Sequence, residues 1–148
     1  MPIVVLACLG LVLLSTTVHY EALRLLNFLL PRASIPARSK VLVVVLGAFV
    51  AHAIQIVMYG LALFGLVRFA SAGVLNASAG FSWTSCLYFS AETFTSLGFG
   101  DITPVGPVRL LAGVEALNGL LLIGWSVAII FEVMKMADVQ VARKDSSS

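Results

Sequence analysis

Three long apolar stretches alternate with short polar ones along the chain. Residues 3–30, 41–67 and 108–136 are each long enough, at a rise of about 1.5 Å per residue, to cross a hydrocarbon core about 30 Å thick. Residues 81–95 are also apolar, but they are too few and too rich in hydroxyl groups to span it. The pattern predicts three membrane helices and one helix that enters the membrane without crossing it.

The polar segments predict how these helices are oriented. Residues 31–40 contain Arg32, Arg38 and Lys40 and no acid, and short basic loops stay in the cytoplasm. The last segment, 137–148, follows Lys135 and is also expected inside. This places the N-terminus and residues 69–80 outside a cell membrane, with the C-terminus in the cytoplasm.

Composition supports a membrane protein and argues against other classes. Of the 148 residues, 60% are hydrophobic and 11% are charged, whereas soluble domains carry about 25% charged residues. The mean hydropathy is +1.06. A net charge of +2 gives no reason to expect a nucleic-acid partner. No nucleophile–base set, metal cluster or phosphate loop is visible, so we expect neither an enzyme nor a cofactor.

One run between the second and third spans has an unusual composition: Thr95-Ser96-Leu97-Gly98-Phe99-Gly100-Asp101. Glycine adopts positive φ at little steric cost, so alternating left- and right-handed residues can point successive carbonyls the same way. Irregular backbone at membrane depth is tolerated only where protein buries it or where it lines a water-filled path. The run resembles the TVGYG selectivity filter of potassium channels, with a serine, a leucine and a phenylalanine at the three substituted positions.

The resemblance covers residues 41–136 and implies a fold and a function. It implies an all-α membrane protein with an outer helix, a re-entrant pore helix, a filter loop and an inner helix, assembled as a homotetramer. The segment 1–30 is then an additional N-terminal helix, 31–40 a cytoplasmic loop and 137–148 a cytoplasmic tail. The permeant ion is expected to be K⁺, bound by filter oxygens of Ser96, Leu97, Gly98 and Phe99, with Gly100 completing the filter.

Three residues around the filter are expected to support it: Glu92, Thr95 and Asp101. In simple two-helix prokaryotic channels a glutamate at the matching position bonds to the matching aspartate, which predicts a Glu92–Asp101 pair sharing a proton. The alternative is that Glu92 is a solvated acid at the pore mouth. Phe99 lacks the hydroxyl of the usual tyrosine, so we expect a less rigid outer filter.

The last span carries the candidate gate. Gly119 and Gly124 match two glycines of the family's inner helix, where they permit either bending or close helix packing. Counting from them predicts a face toward the central cavity, with Phe131 as a hydrophobic constriction. The predicted gate and cavity residues are Gly119, Leu120, Ile123, Gly124, Val127 and Phe131.

Ionisable side chains inside the spans are candidates for regulation. His52 shares a helix face with Gln55 and either senses pH or is a neutral hydrogen-bonding group. Glu115 is expected to turn away from the pore axis and to be hydrogen-bonded, or else to face the cavity as an acid that attracts cations. His19 lies among polar residues of the first helix, which we interpret as interfacial.

Two alternatives to a potassium channel stay open at this point. Leu97 and Phe99 could loosen the filter enough for Na⁺ and K⁺ to pass alike. The chain could also be a non-conducting membrane subunit that assembles with another pore.

Overall fold

Four α-helices and two short strands make up this computed structural model, which describes residues 1–78 and 80–145. The helices are α1 (Pro2–Leu29), α2 (Ala37–Arg68), α3 (Trp83–Phe94) and α4 (Val108–Asp145), and the strands are β1 (Val74–Ala77) and β2 (Ile102–Val105). A 3₁₀ turn, Leu30–Arg32, follows α1. The side chains of residues 37–38 and 140–145 lie outside this description. The predicted contribution of Arg38 to the basic loop therefore falls outside the described residues.

Three of the helices are long and apolar enough to cross a membrane, over Pro2–Arg32, Ser39–Arg68 and Val108–Val139. The predicted all-α membrane fold is therefore confirmed. α3 is the short helix between the second and third spans, as the sequence indicates. α4 continues as one helix beyond residue 136, where the apolar pattern ends.

α3 lies in the cleft between α2 and α4, and α1 packs against α2 and α4. The core at this junction contains the fully buried side chains of Tyr59, Leu63, Phe94 and Leu111. The opposite faces of α1 and α2 expose large apolar side chains such as Leu13, as expected for helices surrounded by lipid.

A two-stranded ribbon, which the sequence analysis did not predict, joins the two ends of the segment that contains α3. β1 and β2 run antiparallel, from the pair Val74–Val105 to the pair Ala77–Ile102. Gly73 has φ +144° and lies directly against the Val105 carbonyl, where any larger residue would collide. The ribbon closes residues 78–101 into a loop and joins the chain before α3 to the chain before α4.

Gly119 is the point at which α4 packs tightly against the end of α3. A Cβ at this position would collide with the backbone carbonyl of Phe94, the last residue of α3. Gly124, five residues along α4, has no atom within 4 Å of its Cβ position. The two glycines therefore differ within this chain: Gly119 is needed for close packing, whereas Gly124 leaves open space beside the helix.

We predict opposite effects of alanine at two helical glycines. Gly119→Ala should lower the melting temperature of the purified protein, because overpacking against a backbone carbonyl costs roughly 1–3 kcal/mol. Gly10→Ala is the matched control, since no atom lies within 4 Å of its Cβ position and alanine gains up to about 1 kcal/mol of helix propensity. Thermal unfolding in detergent measures both, and equal shifts in the two variants would contradict the assigned packing.

Candidate functional site

The cap residues of α3 determine where the helix starts and stops. At its N-terminus the Ser82 hydroxyl accepts a hydrogen bond from the Ser85 amide (N···O 3.0 Å), which satisfies a donor that the helix itself leaves free. At its C-terminus the Thr95 hydroxyl donates to the Ala91 carbonyl at 2.7 Å. The loop that resembles a filter therefore leaves α3 at a defined point next to Gly119.

The backbone amides of this loop turn back toward α3. The Leu97 amide donates to the Glu92 carbonyl at 2.8 Å, and the Gly98 amide donates to the same oxygen at 3.3 Å. The Phe99 amide donates to Oε2 of the Glu92 side chain at 3.1 Å. Glu92 thus holds three successive amides, two through its main chain and one through its carboxyl group.

The direction of the amides fixes the direction of the carbonyls. The Ser96 amide also points back, to the Thr93 carbonyl at 3.0 Å. The described residues contain no cis peptide, and in a planar trans peptide the carbonyl points opposite to the next amide. Four successive carbonyls therefore face away from α3, toward the exposed side of the loop. They belong to Thr95, Ser96, Leu97 and Gly98.

The backbone angles of the loop alternate as the sequence predicts. φ is +59° at Ser96, +56° at Gly98 and +81° at Gly100, and it is positive at neither Leu97 nor Phe99. Ser96 adopts this conformation without being glycine, which costs of order 1–3 kcal/mol and persists only where the surroundings impose it. Here the surroundings are the amide bonds to α3.

The whole loop from Thr95 to Asp101 is exposed in a single chain. The apolar side chains of Leu97 and Phe99 are 63% and 67% exposed. Backbone that is not helical can lie at membrane depth only against protein or along a water-filled path. A single chain thus presents the four carbonyls and two apolar side chains together on an exposed surface.

Glu92 is buried, and its hydrogen bond differs from the expected one. The sequence comparison predicts a bond to Asp101, whereas the carboxyl group accepts from the Phe99 amide. Burial raises the pKa of Glu92, the bond from Phe99 opposes this shift, and the nearby charge of Asp101 adds to it. The influence of Asp101 is thus electrostatic, and the Glu92 carboxyl group tethers the filter backbone directly.

Phe99 is held from two sides within the chain. Its amide is bound by Glu92, and its ring lies against that of Tyr88, with a centroid distance of 6.5 Å and planes 14° apart. Asp101 lines a shallow cavity together with Tyr88, and the pKa of Tyr88 is raised by desolvation and by the charges of Asp101 and Glu92. The amide bond and the ring contact thus hold Phe99 although its side chain has no hydroxyl.

The exposed stripe of α4 includes most of the predicted cavity face. Leu120, Gly124, Val127 and Phe131 recur at spacings of four, three and four residues, and all four are exposed. Ile123 was predicted on the same face, but it packs on the core. Gly119 is buried against Phe94, which agrees with the alternative of close helix packing.

The ionisable residues inside the spans lie in a buried polar layer. Glu115 is 1% exposed and contacts the Ser90 hydroxyl, facing away from the exposed stripe. Nδ1 of His52 lies 3.0 Å from Oε1 of Gln55, and its Nε2 lies 3.0 Å from the Ser126 hydroxyl. Both residues are therefore hydrogen-bonded groups at contacts between helices.

Sequence reasoning missed several members of this layer. His19 is fully buried, although the polar residues around it suggested an interfacial position, and Ser15, Ser90, Asn118 and Ser126 are buried as well. The spacing of Ser15 and His19, four residues apart on one helix face, was the available signal. It could have been recognised only by treating that face as packed against protein.

Residues 41–136 match the model of a family described as ion channel. This segment is more than half of the chain and contains α3, the loop and the exposed stripe of α4. The chain therefore belongs to this ion channel family, and its resemblance to the pores of prokaryotic potassium channels is confirmed.

The chain is also similar to the inward rectifier potassium channel Kirbac3.1 of Paramagnetospirillum magnetotacticum, with 32% identity over 71 residues. The matched stretch is 47% of this chain and 24% of that channel. No solved structure matches the chain.

We predict that Glu92 makes stability depend on pH. A buried acid whose pKa is raised stabilises the fold most when it is protonated, so stability should fall as pH rises above the ordinary carboxyl pKa of about 4.3 and level off above the raised one. Glu92→Gln keeps an oxygen acceptor for Phe99 and should make this fall smaller, although Glu115, a second buried acid, keeps part of it. Asp101→Asn should reduce the fall by less. Melting temperatures between about pH 4 and pH 8 measure the effect, and an unchanged profile in Glu92→Gln would contradict it.

Proposed function

We propose that the chain is the subunit of a homotetrameric, potassium-selective channel, in which filter loops from four copies surround a common axis. The observation that carries the proposal is the row of carbonyls from Thr95 to Gly98 facing the exposed side of the loop. Backbone carbonyls in such a row replace the hydration shell of a permeating K⁺ ion.

Several copies are needed because one loop offers oxygens from one side only. A second copy would also cover Leu97 and Phe99, which are apolar and exposed in the single chain. The number four comes from the resemblance to potassium channels, since the contacts within one chain do not define it. In such an assembly Leu120, Val127 and Phe131 would line the cavity on the inner side of the filter.

The chemistry of the loop favours a monovalent cation. The outward oxygens are neutral carbonyls, whereas Ca²⁺ and Mg²⁺ sites usually include carboxylates. α3 ends at Phe94, directly before the loop, and the C-terminal end of a helix carries partial negative charge. The similarity to Kirbac3.1, named as a potassium channel, favours K⁺ over Na⁺.

The proposed orientation places the N-terminus of α1 and the ribbon outside the cell membrane, and the loop after Leu30–Arg32 inside. Arg32 and Lys40 support it through the preference of short basic loops for the cytoplasm. A channel that passes Na⁺ and K⁺ alike remains the second candidate, because Phe99 lacks the hydroxyl that would stiffen the filter.

We predict that the protein reconstituted in liposomes conducts K⁺ and that its reversal potential in mixed salts follows the K⁺ gradient. Gly98→Ala should abolish this selectivity or the flux itself, because alanine disfavours φ near +56°. Gly80→Ala is the matched control: Gly80 has φ +79° and open space around it but lies outside the filter loop. The measurements are flux and reversal potential.

Three outcomes would change this reading. Equal permeation of Na⁺ and K⁺ by the unaltered protein would support the non-selective channel instead. Absence of flux from a stably assembled protein would support a non-conducting subunit. Equal loss of function in Gly80→Ala and Gly98→Ala would mean that strain anywhere in the chain, and not the filter, limits conduction.

We also predict that the detergent-solubilised protein has the mass of four chains. Because Leu97 and Phe99 would be buried between copies, Leu97→Asp should weaken the assembly by placing charges together. Leu13→Asn, on a surface of α1 that faces lipid, is the control and should keep the oligomer. Native mass spectrometry measures both, and a monomeric parent protein would refute the shared filter.

A further inference from the structure

Two buried histidines and one serine form a contact among α1, α2 and α4, here called the histidine node: His19, His52 and Ser126. The two rings stack with their centroids 5.2 Å apart and their planes 25° apart. Nε2 of His52 lies 3.0 Å from the Ser126 hydroxyl oxygen, and Nε2 of His19 lies 3.4 Å from it. The serine thus connects α4 to both other spans at one point.

The neighbours of the node determine which atoms carry hydrogen. Nε2 of Gln55 donates to the Ser15 carbonyl at 3.2 Å, so Oε1 of Gln55 accepts from Nδ1 of His52. A neutral imidazole has one N–H, so Nε2 of His52 accepts, and the Ser126 hydroxyl donates to it. The Ser126 oxygen in turn accepts from Nε2 of His19.

This order leaves a single atom without a partner. With its hydrogen on Nε2, His19 has a bare Nδ1, and that atom is the buried side-chain nitrogen for which the described residues provide no hydrogen bond. All of these hydrogen bonds can therefore form together only when both rings are neutral. They then run from His19 through Ser126, His52 and Gln55 to the Ser15 carbonyl of α1.

A proton added to either ring conflicts with this arrangement. On Nε2 of His52 it would face the Ser126 hydroxyl, which is already donating toward the same atom. On Nδ1 of His19 it would create an N–H with no acceptor among the described residues. In both cases a buried cation would lie against another ring without a counter-charge, which is costly.

No carboxylate of the described residues is close enough to neutralise that cation. On α2 the next titratable group is Tyr59, seven residues from His52 and about 10 Å along the helix. On α4 it is Glu132, six residues from Ser126 and about 9 Å along the helix, and that carboxylate is exposed and lies 3.9 Å from Lys135. From α3 the node contacts the neutral Phe94 ring, and the Glu92 carboxyl group is bound to Phe99. The acid and base of α1 nearest His19, Glu21 and Arg24, are exposed and pair with each other at 3.3 Å.

The node lies where it can influence the pore. Ser126 follows Gly124 by two residues, and Gly124 has open space around it, so α4 can bend there once Ser126 is free. The His52 ring is also 5.7 Å from the ring of Phe94, at the base of the filter loop. Neutral histidines hold α4 beyond Gly124 against α1 and α2.

We propose that the histidine node is a proton-binding site that ties α1 to the inner helix, and that protonation releases α4 and opens the pore. The claim that protonation opens the pore rests on the proposed channel function. The claim that the node binds a proton does not. α1 then acts as a regulatory helix, held to the pore by a contact that acid breaks.

Proton binding can be measured without any flux. The Trp125 ring lies 5.4 Å from the His19 ring, and a protonated imidazole quenches indole fluorescence. In a Trp83→Phe background Trp125 is the sole tryptophan. We expect its emission in the intact reconstituted protein to fall between about pH 7 and pH 4, below the range in which histidine commonly titrates, because the added charge is buried. His19→Gln, which keeps a donor toward Ser126, should abolish this change, and Glu21→Gln should leave it intact.

Channel opening tests the second half. Open probability should rise about tenfold from about pH 7 to pH 4, within the range typical of coupled equilibria. Ser126→Ala removes the contact and should give high open probability at both pH values. His19→Gln should give low open probability at both, because glutamine keeps a donor toward Ser126 and takes up no proton.

Each result decides one part of the proposal. A flat Trp125 titration, or one unchanged in His19→Gln, overturns the proton-binding site. A titration that occurs while open probability stays constant with pH overturns the release of α4. Absence of conduction at every pH, with the His19-dependent titration present, refutes the proposed channel function and supports the proton site on its own.

Discussion

Every carbonyl at membrane depth needs a partner, and the loop after α3 has four carbonyls for which the described residues provide none. The Glu92 main chain and side chain hold the amides of Leu97, Gly98 and Phe99, and this forces the carbonyls outward, where lipid could not satisfy them. Contacts on both sides of α3 hold it in the position from which the loop makes these bonds. The ribbon closes the segment on one side, and Gly119 allows α4 to approach the Phe94 carbonyl on the other.

The features that could be predicted from sequence are those that depend on single residue types or on the length of an apolar stretch. Span length follows from bilayer thickness, and positive φ at Gly98 and Gly100 follows from what glycine permits. The ribbon could not be found in this way, because β1 is four residues long and pairs with a strand across the whole loop. The predicted partner of Glu92 came from the resemblance to potassium channels, which implies a bond to Asp101. That resemblance does not show that the Phe99 amide is the donor that the Glu92 carboxyl group accepts from.

Burial inside the helix bundle was the least predictable property. His19 lies in a stretch with Glu21 and Arg24, and on sequence alone the three look equally polar. The helix turns His19 toward α2 and α4 while the other two stay exposed. What distinguishes a fully buried histidine from an interfacial one is the packing of α1 against α2 and α4. No local sequence pattern encodes that packing.

The hydrogen bonds of the buried polar layer require that its ionisable groups are neutral. Ser90 has one hydroxyl hydrogen, and its oxygen is in contact with both the Ile56 carbonyl and the Glu115 carboxyl group. If Glu115 is neutral, it donates to Ser90 while Ser90 donates to Ile56, and both contacts become ordinary hydrogen bonds. The histidine node obeys the same requirement, since each ring there has room for one N–H. A layer built on neutral hydrogen bonds excludes charge at rest, and for that reason one added proton can change how its helices pack.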